Sequence, residues 1–244
     1  MHYFFLEGTG LLTGTEVDLA ASDLKHALRV LRLKKGDRIA VADGFGTALS
    51  GFITVAGPDR VRVFLDKKIT SNESFLNITL LQSLAKGEKM DRIIRQTVEL
   101  GVKKIIPLEL MRSVPDLNKK VEKKQVRWQK IACSAAAQSR RAFLPQVDKV
   151  RNLKSLLFEL EGQYILLPWE REDKVSLKEL LKTQKPQDQS VFLLIGPEGG
   201  FDLAEIEAIR KAGGHTVHLG PRILRTETAA VAAVTIIQSI WGDF

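Results

Sequence analysis

Leu193-Leu194-Ile195-Gly196-Pro197-Glu198-Gly199-Gly200-Phe201 and, further along, Leu219-Gly220-Pro221-Arg222-Ile223-Leu224-Arg225-Thr226-Glu227-Thr228-Ala229 share one design. Each leaves an apolar strand-like run, turns on glycine and proline, and opens a helix-like run. The carboxyl ends of strands are where open α/β sheets hold ligands. Glycine lets a backbone approach a ligand closely or adopt positive φ, and proline fixes the chain direction beside it. The pair reads as a rigid cradle for a small molecule.

Upstream of these turns the rhythm is strand and helix in alternation. A continuous apolar run at 78–84 predicts a buried strand. Met90, Ile93, Ile94, Val98 and Leu100 give residues 86–100 helical spacing, with Gly101 as the C-cap. Strands follow at 104–108, 164–167, 191–195 and 216–219, and helices at 119–140, 176–181, 202–212 and 227–241. Strands buried on both faces alternating with helices indicate a mostly parallel sheet. The last helix is apolar nearly all round, which requires burial in the core or against a second subunit.

Residues 1–70 read differently. Short strands are expected at 3–6, 16–19, 38–42, 48–55 and 60–65, with one helix at 22–31 and a hairpin-type turn at Asp43-Gly44-Phe45-Gly46. That spacing suggests a small β-barrel. The polar stretch 69–74 places the domain boundary, giving domains 1–72 and 73–244.

The totals suit a soluble globular chain of 244 residues, 44% hydrophobic and 27% charged. Thirty-seven Lys and Arg against 29 Asp and Glu give a net charge of +8, which favours a polyanionic partner. The lone Cys133 excludes an internal disulfide, and the four scattered histidines offer no metal-ligand spacing, so no metal is expected. His215 and His218 fall on opposite faces of a strand and read as structural. The N-terminus lacks the pattern of a secretion signal, and the most apolar stretch, 229–241, is too short to cross a bilayer. A cytoplasmic location is expected.

Chemistry concentrates in the second turn, where Arg222, Arg225, Thr226, Glu227 and Thr228 lie between a buried strand and a buried helix. Charges there are costly unless paired or used. The structural alternative is an Arg225–Glu227 ion pair. The first turn lacks the Gly-Lys-Ser/Thr ending of a phosphate loop and fails the dinucleotide pattern. Part of it is a helix start, with Asp202 and Glu205 as a capping pair. Two basic clusters, Arg29, Arg32, Lys34, Lys35 and Arg38, then Lys119, Lys120, Lys123, Lys124, Arg127, Lys130, Arg140 and Arg141, suit a surface that tracks an RNA backbone. Trp128 and Phe143 could stack on bases, although the spacing of Trp128 with Ile131 and Ala135 reads as core. Cys133 has no evident base beside it.

Leu84-Ala85-Lys86-Gly87-Glu88-Lys89-Met90-Asp91, Thr97-Val98-Glu99-Leu100-Gly101-Val102, Arg127-Trp128, Ala136-Ala137-Gln138-Ser139-Arg140 and Pro145, together with the two turns, carry a resemblance over nearly the whole chain. It resembles the bacterial 16S ribosomal RNA uridine N3-methyltransferase family of the SPOUT superfamily, also called ribosomal RNA small subunit methyltransferase E. His26, Val30-Leu31-Arg32-Leu33-Lys34-Lys35-Gly36-Asp37 and Asp43-Gly44-Phe45-Gly46 are similar to that family's PUA-like domain. Tyr3 departs from it, since the family often has arginine there.

The resemblance implies an α/β fold: a C-terminal SPOUT domain with a mostly parallel sheet and a deep trefoil knot, beside a small PUA-like β-barrel. Threaded chains are rare enough that the residues alone would not have suggested the knot. S-adenosylmethionine as cofactor, S-adenosylhomocysteine as product, a homodimer, and 16S rRNA within the small ribosomal subunit as substrate are also implied. Carried over by position, Leu167, Ile195, Gly196, Pro197, Glu198, Gly199, Gly200, Leu219, Gly220, Ile223, Leu224 and Thr226 would bind the cofactor. Arg225 would serve the developing oxyanion and Glu198 or Glu227 would accept the proton. His26, Arg29, Arg32, Lys34, Lys86, Arg112, Arg140 and Arg141 are the candidate RNA contacts. A relative acting on tRNA or on a ribose 2′-oxygen, a non-catalytic ribosome assembly factor, and a nucleotide-dependent oxidoreductase stay open at this point.

Overall fold

The structure, a computed structural model, describes residues 1–6, 10–70, 72–113 and 121–244. The chain divides into two units, one of Met1–Glu73 with Cys133–Leu144 and one of Ser74–Ala132 with Pro145–Phe244. Lys119 and Lys120, the expected start of the long basic helix, lie outside the described residues.

In the first unit five strands form one sheet in the order β1-β3-β4-β5-β2. They are β1 (His2–Phe5), β2 (Glu16–Asp18), β3 (Arg38–Ala42), β4 (Ala48–Gly57) and β5 (Arg60–Ile69). The helix expected at 22–31 is a short α1 (Ala21–Lys25) followed by a π-helical turn (His26–Val30). Alternation along β3 sorts side chains by size. Ile39 and Val41 enter a core with Phe4, Leu49, Ile53, Val63 and Leu65, while Ala40 and Ala42 pack with Tyr3, Ala48 and Ala142. The small side chains leave room for the returning segment 133–144. Two register shifts between β4 and β5, at Ser50/Gly51 and Ile53/Val55, increase the local twist.

The returning segment is pinned by a buried ion pair. Arg141, 4% exposed, donates to Glu73 through Nη2 at 2.8 Å and Nε at 3.2 Å, and Glu73 also accepts Phe143 N–H at 3.0 Å. Burial removes Arg141 from the candidate RNA contacts, because a guanidinium held in this way does not reach a phosphate. Tyr3 is likewise buried, and that burial raises its phenol above the ordinary value. The Cys133 thiol is raised by burial first and by Asp23 second, the reverse of what a nucleophile needs.

The second unit is built on a parallel sheet in the order β12-β10-β11-β6-β7-β8, with β9 also on β7. Its elements run β6 (Asn77–Ser83), α2 (Lys89–Glu99), β7 (Lys104–Glu109), α3 (Val121–Gln138), β8 (Gln146–Val147), β9 (Arg151–Asn152), α4 (Leu153–Leu160) and β10 (Ile165–Pro168). Then come α5 (Leu177–Thr183), β11 (Ser190–Ile195), α6 (Leu203–Lys211), β12 (His215–Val217) and α7 (Thr226–Trp241). The last part of α3, from Cys133, belongs to the first unit. One core gathers Leu81, Ile106, Leu108, Ile165, Leu167, Leu194, Ile206 and Ile209 from strands and helices. α7 buries Ala230, Ala233, Val234, Ile237, Gln238 and Trp241. Gln238 Nε2 donates to Leu100 O at 2.9 Å and its Oε1 accepts Ser74 Oγ–H at 2.9 Å, so this buried amide is paired at both ends. Gly101, at φ +92°, ends the turn after α2.

Replacing Glu73 by alanine deprives a buried guanidinium of this carboxylate, a change of about 3–5 kcal/mol. Chemical denaturation of Glu73→Ala should show a midpoint clearly below that of the unsubstituted protein.

Candidate active site

Because the sheet is parallel throughout, every strand presents its carboxyl end to the same edge. β12, β10, β11 and β6 are consecutive neighbours, so the loops that follow them are brought side by side. They enclose a cleft of about 770 Å³. Chain order reverses at β6, with β7 on one side and β11 on the other, which makes the edge a switch point of the kind that holds ligands in such sheets. Its walls are Lys86 and Lys89 from beyond β6, residues 168–170 and 172 from the end of β10 onward, residues 195–201 from the end of β11 onward, and residues 218–226 and 229 from beyond β12.

The two glycine–proline turns are fastened to each other. Thr226 Oγ1–H donates to Gly196 O at 2.8 Å, and the same hydroxyl oxygen accepts Gln82 Nε2–H at 3.0 Å. Gln82 is fully buried and its Nε2 also donates to Ser83 O at 3.0 Å. The first turn is stiffened further at its end. Asp202 accepts Ala204 N–H at 3.0 Å while Glu205 Oε2 accepts Asp202 N–H at 3.0 Å, the expected capping box. Glu205 Oε1 also accepts Met111 N–H at 2.8 Å. A Cβ on Gly196 would lie 2.6 Å from the buried ring of Phe201, and Gly200 holds φ +71°. Both glycines are therefore demanded by shape.

Charge is divided unevenly in the cleft. Lys89 Nζ donates to Glu198 and stands 4.0 Å from Glu227 Oε2. The Arg225 guanidinium forms no ion pair among the described residues, so the Arg225–Glu227 pair considered from the sequence is replaced by a Lys89–Glu227 approach. Elsewhere in the lining Glu172 Oε2 accepts Thr216 Oγ1–H at 2.7 Å and Arg210 Nη2–H at 3.3 Å. Burial works to raise the Glu172 carboxyl. The Thr216 hydrogen bond, the Lys174 and Val175 amides and the Arg210 charge outweigh it and hold the group below the usual carboxylate range. Arg210 also lies over the Trp169 ring, 5.4 Å from its centroid.

Residues 72–238 match the model of the RNA methyltransferase domain family, and residues 19–66 match that of the RNA methyltransferase PUA domain. The chain belongs to the RNA methyltransferase family. Its relatives include ribosomal RNA small subunit methyltransferase E of Bacillus subtilis, 32% identical, the match covering 90% of this chain and 88% of that protein. Among solved structures, the ribosomal RNA small subunit methyltransferase E of Neisseria gonorrhoeae bound to S-adenosyl methionine superposes with a TM-score of 0.89 at 34% identity, over 100% of this chain and 99% of that one. A Legionella pneumophila structure in complex with the bound cofactor SAM gives 0.86 at 30% identity over 99% and 98%.

Of the expected cofactor residues, Ile195, Gly196, Pro197, Glu198, Gly199, Gly200, Leu219, Gly220, Ile223, Leu224 and Thr226 all line the cleft. Leu167 does not. It lies inside a strand covered on both faces, and the chain reaches the wall only at Pro168 and Trp169. Arg225 and Glu198 are on the wall, whereas Glu227, 9% exposed, sits within the first turn of α7 and off it. Arg112 is engaged with Asp202 at 3.2 Å. Lys86 lines the cleft, and His26, Arg29, Arg32, Lys34 and Arg140 are exposed on the first unit. Sequence reasoning missed Gln82, Lys89 and Glu172. A glutamine at the end of the apolar run Ile78–Leu81 was the available signal for the first.

Gly196→Ala drives a methyl group into a buried ring, while Gly199→Ala meets nothing closer than 3.5 Å. Thermal denaturation should show Gly196→Ala destabilised by about 1–3 kcal/mol and Gly199→Ala close to the unsubstituted protein.

Proposed function

We propose that this protein transfers the methyl group of S-adenosylmethionine to N3 of a uridine in 16S rRNA of the small ribosomal subunit. The observation that carries the reading is a shaped cleft, between fastened turns at the carboxyl edge of a parallel sheet, in a chain of the RNA methyltransferase family. The cleft's volume suits a nucleoside-sized ligand. Much of its lining is glycine- and proline-turn backbone, and a Cβ on Gly220 would meet nothing within 4 Å, so the residues present fit this cofactor. Backbone groups of residues 195–200 and 219–224 would hold it. When bound, it supplies an electrophilic methyl carbon on a sulfonium.

Uracil N3 carries a proton and is a poor nucleophile until that proton leaves. Glu198, on the wall, is the proposed acceptor, and Glu227, off it, is not. Arg225 is the proposed donor to the uracil oxygen on which negative charge develops, and no ion pair among the described residues draws its guanidinium away. A base of this kind contributes roughly 10² to 10⁴ in rate, and one aimed donor about 10² to 10³.

The exposed basic residues His26, Arg29, Arg32, Lys34 and Arg140 of the first unit, which includes a PUA domain match, would track the RNA backbone, with Lys86 at the cleft. The reading includes residues 1–72 as the RNA-binding domain, 73–244 as the catalytic domain with its knot, and a homodimer. The face of α7 carrying Ala229, Val231, Ala232 and Ile236 is only partly buried in one chain, which supports pairing with a second copy.

Mass mapping of 16S rRNA from cells lacking this protein should show the loss of one N3-methyluridine near the 3′ end, and an unchanged map would overturn the reading. In single-turnover assays Arg225→Ala should lower the transfer rate about a hundredfold while S-adenosylmethionine affinity by calorimetry changes little. Alanine at Arg29, Arg32, Lys34 or Arg140 should each reduce the salt slope of RNA binding by about one.

A further inference from the structure

Lys89 stands at the first helical position of α2, after the Glu88 N-cap. A cation there is against the helix dipole, whose amino end favours anions. What offsets it is a pair of carboxylates brought from elsewhere in the chain: Glu198, from the turn after β11, and Glu227, from the first turn of α7. The two are unequal. Glu198 is in direct contact with the ammonium and about a third exposed on the cleft wall, while Glu227 is nearly buried. Glu227 Oε2 has no hydrogen-bond partner among the described residues, and the Lys89 ammonium is 4.0 Å from it. A buried acceptor left open is uncommon and calls for a use.

We propose that Lys89 is a positioning residue for the proton transfer: its ammonium holds the Glu198 carboxylate at the cleft wall, and passes to Glu227 Oε2 when Glu198 takes up the proton. This rests on the reading of Glu198 as the acceptor. In the step, the N3–H bond of uracil breaks, an O–H bond forms on Glu198, and the electron pair stays on N3 for attack on the methyl carbon. Glu198 is then neutral and no longer holds a cation strongly. The ammonium closes a gap of about one ångström to the open oxygen of Glu227, reaching ordinary hydrogen-bond distance.

The test is a double-substitution cycle on the full-length protein, with single-turnover transfer to 16S rRNA and calorimetry of S-adenosylmethionine binding as separate readouts. Lys89→Met should slow transfer about tenfold or more with cofactor affinity held within about threefold. Lys89→Arg, which keeps a cation able to span both carboxylates, should recover most of the loss. Glu227→Gln should slow transfer by severalfold alone and add nothing in the Lys89→Met background, because the two act through one interaction. Multiplicative effects, an unimpaired Glu227→Gln, or a fall in cofactor affinity matching the fall in rate would each overturn the proposal. Unsubstituted protein that makes no N3-methyluridine would instead overturn the functional reading beneath it.

Discussion

The hydroxyl of Thr226 serves two partners at once, donating to the carbonyl of Gly196 and accepting from the amide of Gln82. Through that oxygen the end of β6, the turn after β11 and the start of α7 become one piece. Parallel strands alone bring the loops to the same edge, yet loops lacking cross-ties would each carry their own conformational freedom. A ligand would have to order them on binding, and the loss would be subtracted from its affinity. Here the ordering is built in, by a threonine, a buried glutamine and a capping box.

The parts of this fold that rest on local chemistry were legible in the sequence. The alternation of apolar strands and amphipathic helices located β6, α2, β7, β10, β11, α6, β12 and α7, and the glycine–proline turns located the cleft. Short pieces were not legible: β8 and β9 are two residues each, too brief for any periodicity, and exist because β7 offers them an edge. Nothing in the sequence separates the π-helical turn at His26–Val30 from the rest of the helix expected at 22–31, since apolar spacing does not distinguish the two over a single turn. Leu153–Leu160 followed no turn signal strong enough to announce it, although Asn152 caps it.

For the site, sequence order gave residue types but not their partners. Arg225 and Glu227 are two apart and invite pairing, yet α7 begins between them and directs the glutamate inward while the arginine stays in the cleft. Arg141 follows Arg140 in the chain, and the two have opposite fates. Arg140 adopts φ +59° at the end of α3 and remains exposed, whereas Arg141 turns into the first unit to meet Glu73. A count of basic residues treats them alike. Only long-range pairing, by a carboxylate distant in the sequence, tells a structural arginine from one available to a phosphate.

That same Glu73–Arg141 pair bears on how the molecule is made. Residues 133–144 supply Ala142 to one face of the first sheet and backbone hydrogen bonds to its hairpin tip, Gly46 N–H to Ala142 O at 3.2 Å and Leu144 N–H to Gly44 O at 2.9 Å. During synthesis the strands β1 to β5 emerge long before this segment does. The first unit must therefore wait, with Tyr3, Ala40 and Ala42 uncovered, until a stretch encoded well inside the second unit has left the ribosome. Its modular appearance conceals an interleaved order of assembly, and a gene cut after residue 73 would yield a sheet lacking one of its own walls.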